Sequence, residues 1–178
     1  MRGKPSERRL RVYADELMAK RPCGDCQACC QAIAVHEIGK PMAATCPHQC
    51  AAGCGIYAKR PGSCREYACA YKAEWLPDDV RWRPDQLRAI IDIDRASDGR
   101  HYVRVWQLDS PTAVLDDSRI RLATYAAARR LVLPVVAYYG DAHKSIHLID
   151  RLSHWRGAFA RRFPSVPVYP LFHSEDMA

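Results

Sequence analysis

The apolar and polar positions of this chain change rhythm twice, and each change marks a boundary. Leu10, Tyr13, Ala14, Leu17 and Met18 recur at helical spacing, which predicts one buried stripe of an amphipathic helix. Ser6 is placed to cap that helix and Arg21-Pro22 to end it, since the residue before proline disfavours helical geometry. From residue 21 to 77 the periodicity fades and turns crowd in, at Gly24-Asp25, Ala51-Ala52-Gly53 and Lys59 to Gly62. Past Trp75 a strand rhythm takes over. Leu87 to Asp94 and His101 to Leu108 alternate at period two, with Leu87, Ala89, Ile91 and Ile93 on one face and Ser97 to Arg100 as the turn. Asp92 and Asp94 share the other face, which reads as solvated. Asp116-Asp117 then opens a helix whose Ile120, Ala123, Thr124, Ala127 and Leu131 form an inward stripe. Val135 to Tyr139 and Ser145 to Ile149 predict a second hairpin across Gly140-Asp141.

This order implies an α+β fold. Residues 1–80 would form an N-terminal helix and a small metal-stapled, Cys-rich module. Residues 81–178 would form a β-β-α-β-β part, a four-stranded sheet with a covering helix, packed as one unit with the first. Arg151 to Arg162 reads as a basic amphipathic helix docked on the body, or as a basic arm for an acidic partner. Pro164, Pro167 and Pro170 predict an extended, loosely held tail. No apolar run approaches the roughly 18 residues that span a membrane, and the N-terminus lacks the apolar core of a secretion signal. The expectation is a cytosolic protein with no membrane attachment.

Composition changes the picture in the middle of the chain. All nine cysteines fall between Cys23 and Cys69, and disulfides, catalysis or metal could explain such density. A reducing compartment and an odd count both argue against a disulfide framework. Soft thiolates select zinc, copper(I) or iron–sulfur assemblies over hard cations. The run Cys23-Gly-Asp-Cys26-Gln-Ala-Cys29-Cys30 overlaps two C-x-x-C half-sites, and Cys46, Cys50, Cys54, Cys64 and Cys69 follow. If a helix starts at Cys26, then Cys26, Cys29 and Cys30 stand on a single face. Adjacent Cys29 and Cys30 are expected to diverge, which favours shared or neighbouring sites over chelation of one ion. Two mononuclear sites, a thiolate-bridged cluster, or a four-cysteine iron–sulfur centre all satisfy the spacing.

Metal would also answer a stability question, because residues 21–77 could bury little core by themselves. A structural zinc site contributes on the order of 10 kcal/mol to folding. It alters the charge balance too. The formal +7 suggests nucleic acid, but eight thiolates around two divalent ions would reduce the excess to about +3. Nucleic-acid binding then loses its compositional support. His48, two residues after Cys46, reads first as a surface histidine and second as a nitrogen ligand or a hydrogen-bond donor to the ligands.

The ordered set Cys23-x-x-Cys26-x-x-Cys29-Cys30, Cys46-Pro-His48, Gly53-Cys54-Gly-Ile56-Tyr57, Arg60-Pro61 and Cys64-Arg65-x-Tyr-x-Cys69 resembles the YkgJ-type CxxCxxCC family of zinc- or iron-chelating domains. The likeness covers about residues 20–95. It implies that Cys23, Cys26, Cys29, Cys30, Cys46, Cys54, Cys64 and Cys69 hold zinc or iron, an iron–sulfur cluster included. It leaves Cys50 out, and it gives Tyr57, Arg60 and Pro61 structural roles, with Arg60 or Arg65 near thiolate charge. A similar cysteine domain in a flagellin lysine methylase makes an iron-dependent or iron–sulfur enzyme the second reading. A zinc-stapled module with a protein partner is the third. No Ser-His-Asp set, phosphate loop or dinucleotide fingerprint points to another enzyme class, and no catalytic residue is assigned.

Overall fold

The computed structural model describes residues 21–22, 24–96, 99–108, 117–139, 143–148, 157, 160–161, 164–166 and 168–170. The helix expected before Arg21, Cys23, and most of the segment expected as a basic helix lie outside these residues. Gly157, Ala160 and Arg161, which belong to that segment, are helical.

The alternating segments form the body. Strand β3 (Ala89–Arg95) pairs antiparallel with β4 (His101–Gln107), and Ala96 and Gly99 close the hairpin through backbone bonds of 2.8 Å. A parallel neighbour needs a long crossover, commonly a helix. Helix α4 (Ser118–Leu131) supplies it, and β5 (Val135–Tyr139) lies parallel to β4. Strand β6 (His143–Leu148) returns antiparallel to β5. Asp117 caps α4 by accepting from the Arg119 and Ile120 amides, and Ile120, Ala123, Thr124, Ala127 and Leu131 are all buried, as their spacing predicts.

Among the described residues the sheet has five strands rather than the expected four. Strand β7 (Val168–Pro170) pairs parallel with β6, and Val166 and Val168 are buried. Residues 168–170 of the proline-rich tail are therefore bound into the sheet where a loose end was expected. Proline is tolerated there because β7 is an edge strand, where one row of amides needs no ladder partner.

One core fills the α4 face of the sheet. Ala89 and Ile91 of β3, Val103 and Val105 of β4, and Val135 and Ala137 of β5 meet the buried face of α4, with Ile93 packed alongside. Full burial of each Val or Ile contributes roughly 1.5–3 kcal/mol. Ala70, Ala73, Trp75 and Leu76 join this core, so the residues just after the last cysteine are anchored in the sheet. The opposite face carries a smaller cluster in which Ala28, Ala32, Cys69 and Ile90 pack with Trp106 and Tyr67. The Cys-rich module rests on that second face.

The module is built from turns and single helical turns. Helix α1 (Ala28–Ala32) precedes a 3-10 turn at His36–Ile38, a short hairpin of β1 (Gln49–Cys50) and β2 (Gly53–Cys54), and helix α2 (Gly62–Glu66). Helix α3 (Pro84–Leu87) then leads into β3. Gly53 at φ +116° makes the tight β1–β2 return, a conformation that a side chain would strain. Long-range backbone bonds close the module: Ala43 donates to Ala32 and Cys46 to Cys30, both at 2.8 Å. No helix among the described residues is long and apolar enough to cross a membrane.

Candidate metal centre

The turns gather sulfur. Cys26, Cys29, Cys30, Cys46, Cys54 and Cys64 line one cavity of about 250 Å³ between α1, the β1–β2 hairpin and α2. Cys29 and Cys30 come from α1, Cys54 from β2 and Cys64 from α2. None of the described cysteines is joined in a disulfide. Cys69 is buried beneath the module against Ile90, outside the cavity lining. Cys50 is exposed and lines a separate, shallower cavity with Gln27, Gln49 and Asp85. As the side chains stand, no group of three or more Cys, His, Asp or Glu among the described residues is arranged to hold a metal ion. The donor set nevertheless suits a soft metal: six thiols face one space, and among the described residues no carboxylate shares the lining.

Two local expectations change. Helix α1 starts at Ala28, so Cys26 precedes it and the three thiols do not share a helical face. Cys26 is drawn instead to Asp85. Burial pushes its thiol up to about 12. Burial also raises Asp85, but Arg83, Gln86 and Cys26 more than offset this and hold the carboxyl at about 2. Arg83 bonds both Asp25 and Asp85, which ties the first cysteine turn to the helix leading into β3. Adjacent Cys29 and Cys30 do not diverge either. The Cys29 thiol hydrogen-bonds Cys30 and, with help from Lys40 and against burial, brings Cys30 down to about 7. Burial raises Cys64, and the Cys30 and Cys46 thiolates add to that.

Lys40 is the residue that the sequence reading missed. It is 3% exposed, and its ammonium donates to the Ile33 and Pro41 carbonyls while lining the sulfur cavity. Burial lowers its pKa; thiolates at Cys46, Cys30, Cys29 and Cys64 act in the opposite sense. Nothing in its spacing sets it apart from a surface lysine. Lys72, also buried, lines the cavity and donates to the Tyr67 carbonyl at 2.9 Å. Arg60 lines it as well, with its guanidinium 4.1 Å from the Tyr57 ring centre. Arg65 is exposed, outside the lining, and donates to the Arg60 carbonyl. His48 is half-buried and lines the cavity, where a surface position was expected. Glu37 accepts from the Ser63 amide and hydroxyl at 2.9 and 2.8 Å, pinning the start of α2 and therefore Cys64.

The floor of the site is a charged pair. Tyr67 lines the cavity and donates to Asp92 at 2.6 Å. Asp92 is 1% exposed and lies opposite Arg104 in the β3–β4 register. Arg104 grips it with two bonds of 2.9 and 2.7 Å and reaches Asp94 with a third. The face expected to be solvated is thus covered at Asp92, where Tyr67 of the Cys-rich module closes over it, while the Asp94 side chain stays partly exposed. A basic residue opposite Asp92 in the predicted hairpin was the available signal. Burial raises the Asp92 carboxyl and the Tyr67 hydroxyl; Arg104 opposes the first shift, and Asp92 reinforces the second.

Comparison with family models, curated proteins and solved structures returned no match. The fold and this sulfur-lined cavity therefore define the protein's class: an α+β chain carrying a thiol-rich module on one sheet face.

Proposed function

We propose that this protein binds a soft metal, zinc or iron, through the thiolates of Cys23, Cys26, Cys29, Cys30, Cys46, Cys54, Cys64 and Cys69. The observation that carries the reading is the six thiols on one cavity of about 250 Å³. The motif order points the same way, as does the small hydrophobic cluster under the module. The resident centre would be zinc, iron or an iron–sulfur cluster, and when bound it supplies the cross-links that this turn-rich segment lacks.

Each residue then has a part. Cys29, Cys30, Cys46, Cys54 and Cys64 offer sulfur from separate turns. Cys26 gives up a tightly held proton on binding, since a ligand must be the thiolate. Glu37 and Tyr67 fix the two ends of the stretch from Ser63 to Tyr67 that carries Cys64.

Anaerobic purification with elemental analysis and a visible spectrum tests the proposal. About two zinc per chain in a colourless protein, or iron with acid-labile sulfide in a brown one, is the expected result. Freshly made protein that is metal-free, equally well folded after chelator treatment and freely reactive at its thiols would overturn it. A spectral shift with an exogenous ligand would move the reading toward an enzyme with an open coordination position.

A further inference from the structure

Lys40 has a chemical environment that a packing role does not explain. It is 3% exposed, and burying an ammonium without a counter-charge is costly. Its bonds to the Ile33 and Pro41 carbonyls use two of the three an ammonium can donate. Among the described residues no carboxylate forms an ion pair with it, and the cavity lining holds Lys40, Arg60 and Lys72 but no Asp or Glu. The thiols that share its cavity, and become negative on ionising, are those of Cys26, Cys29, Cys30, Cys46, Cys54 and Cys64.

With those thiols protonated, the cavity holds buried positive charge and nothing to balance it. Four thiolates around one divalent ion reverse this, because ligation ionises the thiols and leaves the centre net negative. A fixed ammonium beside it then becomes the matching ion. Resting on the metal-binding reading above, we infer that Lys40 is the built-in counter-charge of a thiolate metal centre formed in this cavity by the cysteines that line it. Its backbone anchors hold it in place, so the charge is present before metal arrives. Lys40 is a positioning and charge-balancing residue, not a ligand.

The test is zinc affinity of the full chain, measured by competition with a chromophoric chelator. Lys40→Gln keeps donors for the two carbonyls and removes the charge; Lys40→Met, close in volume, is the second variant. Lys40→Arg keeps the charge, and Lys59→Met removes the same charge from an exposed position. Partners just outside a metal's ligands are typically worth about 10–100-fold in affinity. That is the weakening expected of Lys40→Gln and Lys40→Met, with Lys40→Arg recovering most of it and Lys59→Met unchanged. The urea midpoint of the zinc-free protein should not fall in step with affinity, as it would for a merely structural lysine. Parent-like zinc affinity in either neutral variant overturns the inference and leaves metal binding standing. A parent protein that takes up neither zinc nor iron overturns both.

Discussion

The Asp92–Arg104 pair shows how a single position ties the site to the scaffold. Asp92 is fully enclosed and takes bonds from Arg104 and from Tyr67. Removing one member of a buried pair strands the other, at about 3–5 kcal/mol, whereas removing both is far milder. Arg104→Leu should therefore lower stability in urea by about 3–5 kcal/mol. Adding Asp92→Leu should recover most of that, leaving chiefly the orphaned Tyr67 hydroxyl at about 1–3 kcal/mol. A double variant weaker than the single would show that the pair is not what holds this layer. Alternation along β3 told which residues share a face, and the core side came out as expected. It could not tell what covers the other side, because the covering comes from turns without periodicity. The same limit hid Lys40, whose meaning depends wholly on cysteines brought close by folding.

At the scale of elements, α4 is well started and poorly stopped. Asp117 satisfies two free amides at its beginning. Its last turn ends in Val132 at φ +55°, a left-handed position where a β-branched side chain is strained and glycine is usual. Val132 is 43% exposed, so little packing is lost on truncation. Val132→Gly is expected to stabilise the protein by about 1 kcal/mol, seen as a higher midpoint in chemical denaturation. An unchanged or lower midpoint would mean that the bend is not strained. This helix was legible because its stripe and cap obey local rules. Strand β7 was not, since three prolines outweigh two valines in any local reading and only the neighbouring β6 edge makes it a strand. Helix α1 fell between the two: a helix was foreseen there, but its start at Ala28 separates Cys26 from the face that it was expected to share.

The whole molecule divides its stability between two kinds of adhesive. Around α4 it is ordinary hydrocarbon, with Val103, Val105 and Val135 wholly enclosed. Around the sulfur cavity it is turns, ion pairs and the proposed metal. Chelation should act on only one of these. Hydrogen exchange after metal removal is expected to show faster exchange across residues 24–64, with β3, β4, β5 and α4 still protected. Uniform acceleration, or none, would contradict that division. Sequence alone distinguished the two halves because one has a period and the other has cysteines. It did not show how they join, since Tyr67, Asp92 and Arg104 meet only once the hairpin has formed and the module has settled on it.

The two margins of the sheet carry a last consequence. On one side Pro170 stands opposite Leu148 in the outermost strand, and a proline offers no amide to a newcomer. On the other, the Ala70 amide already occupies the Ile91 carbonyl at 2.7 Å. A second molecule arriving edge-on finds both borders at least partly taken, the usual safeguard against runaway stacking of strands. At Pro170 and Ile91 the rim of the sheet is therefore a poor template for a further strand.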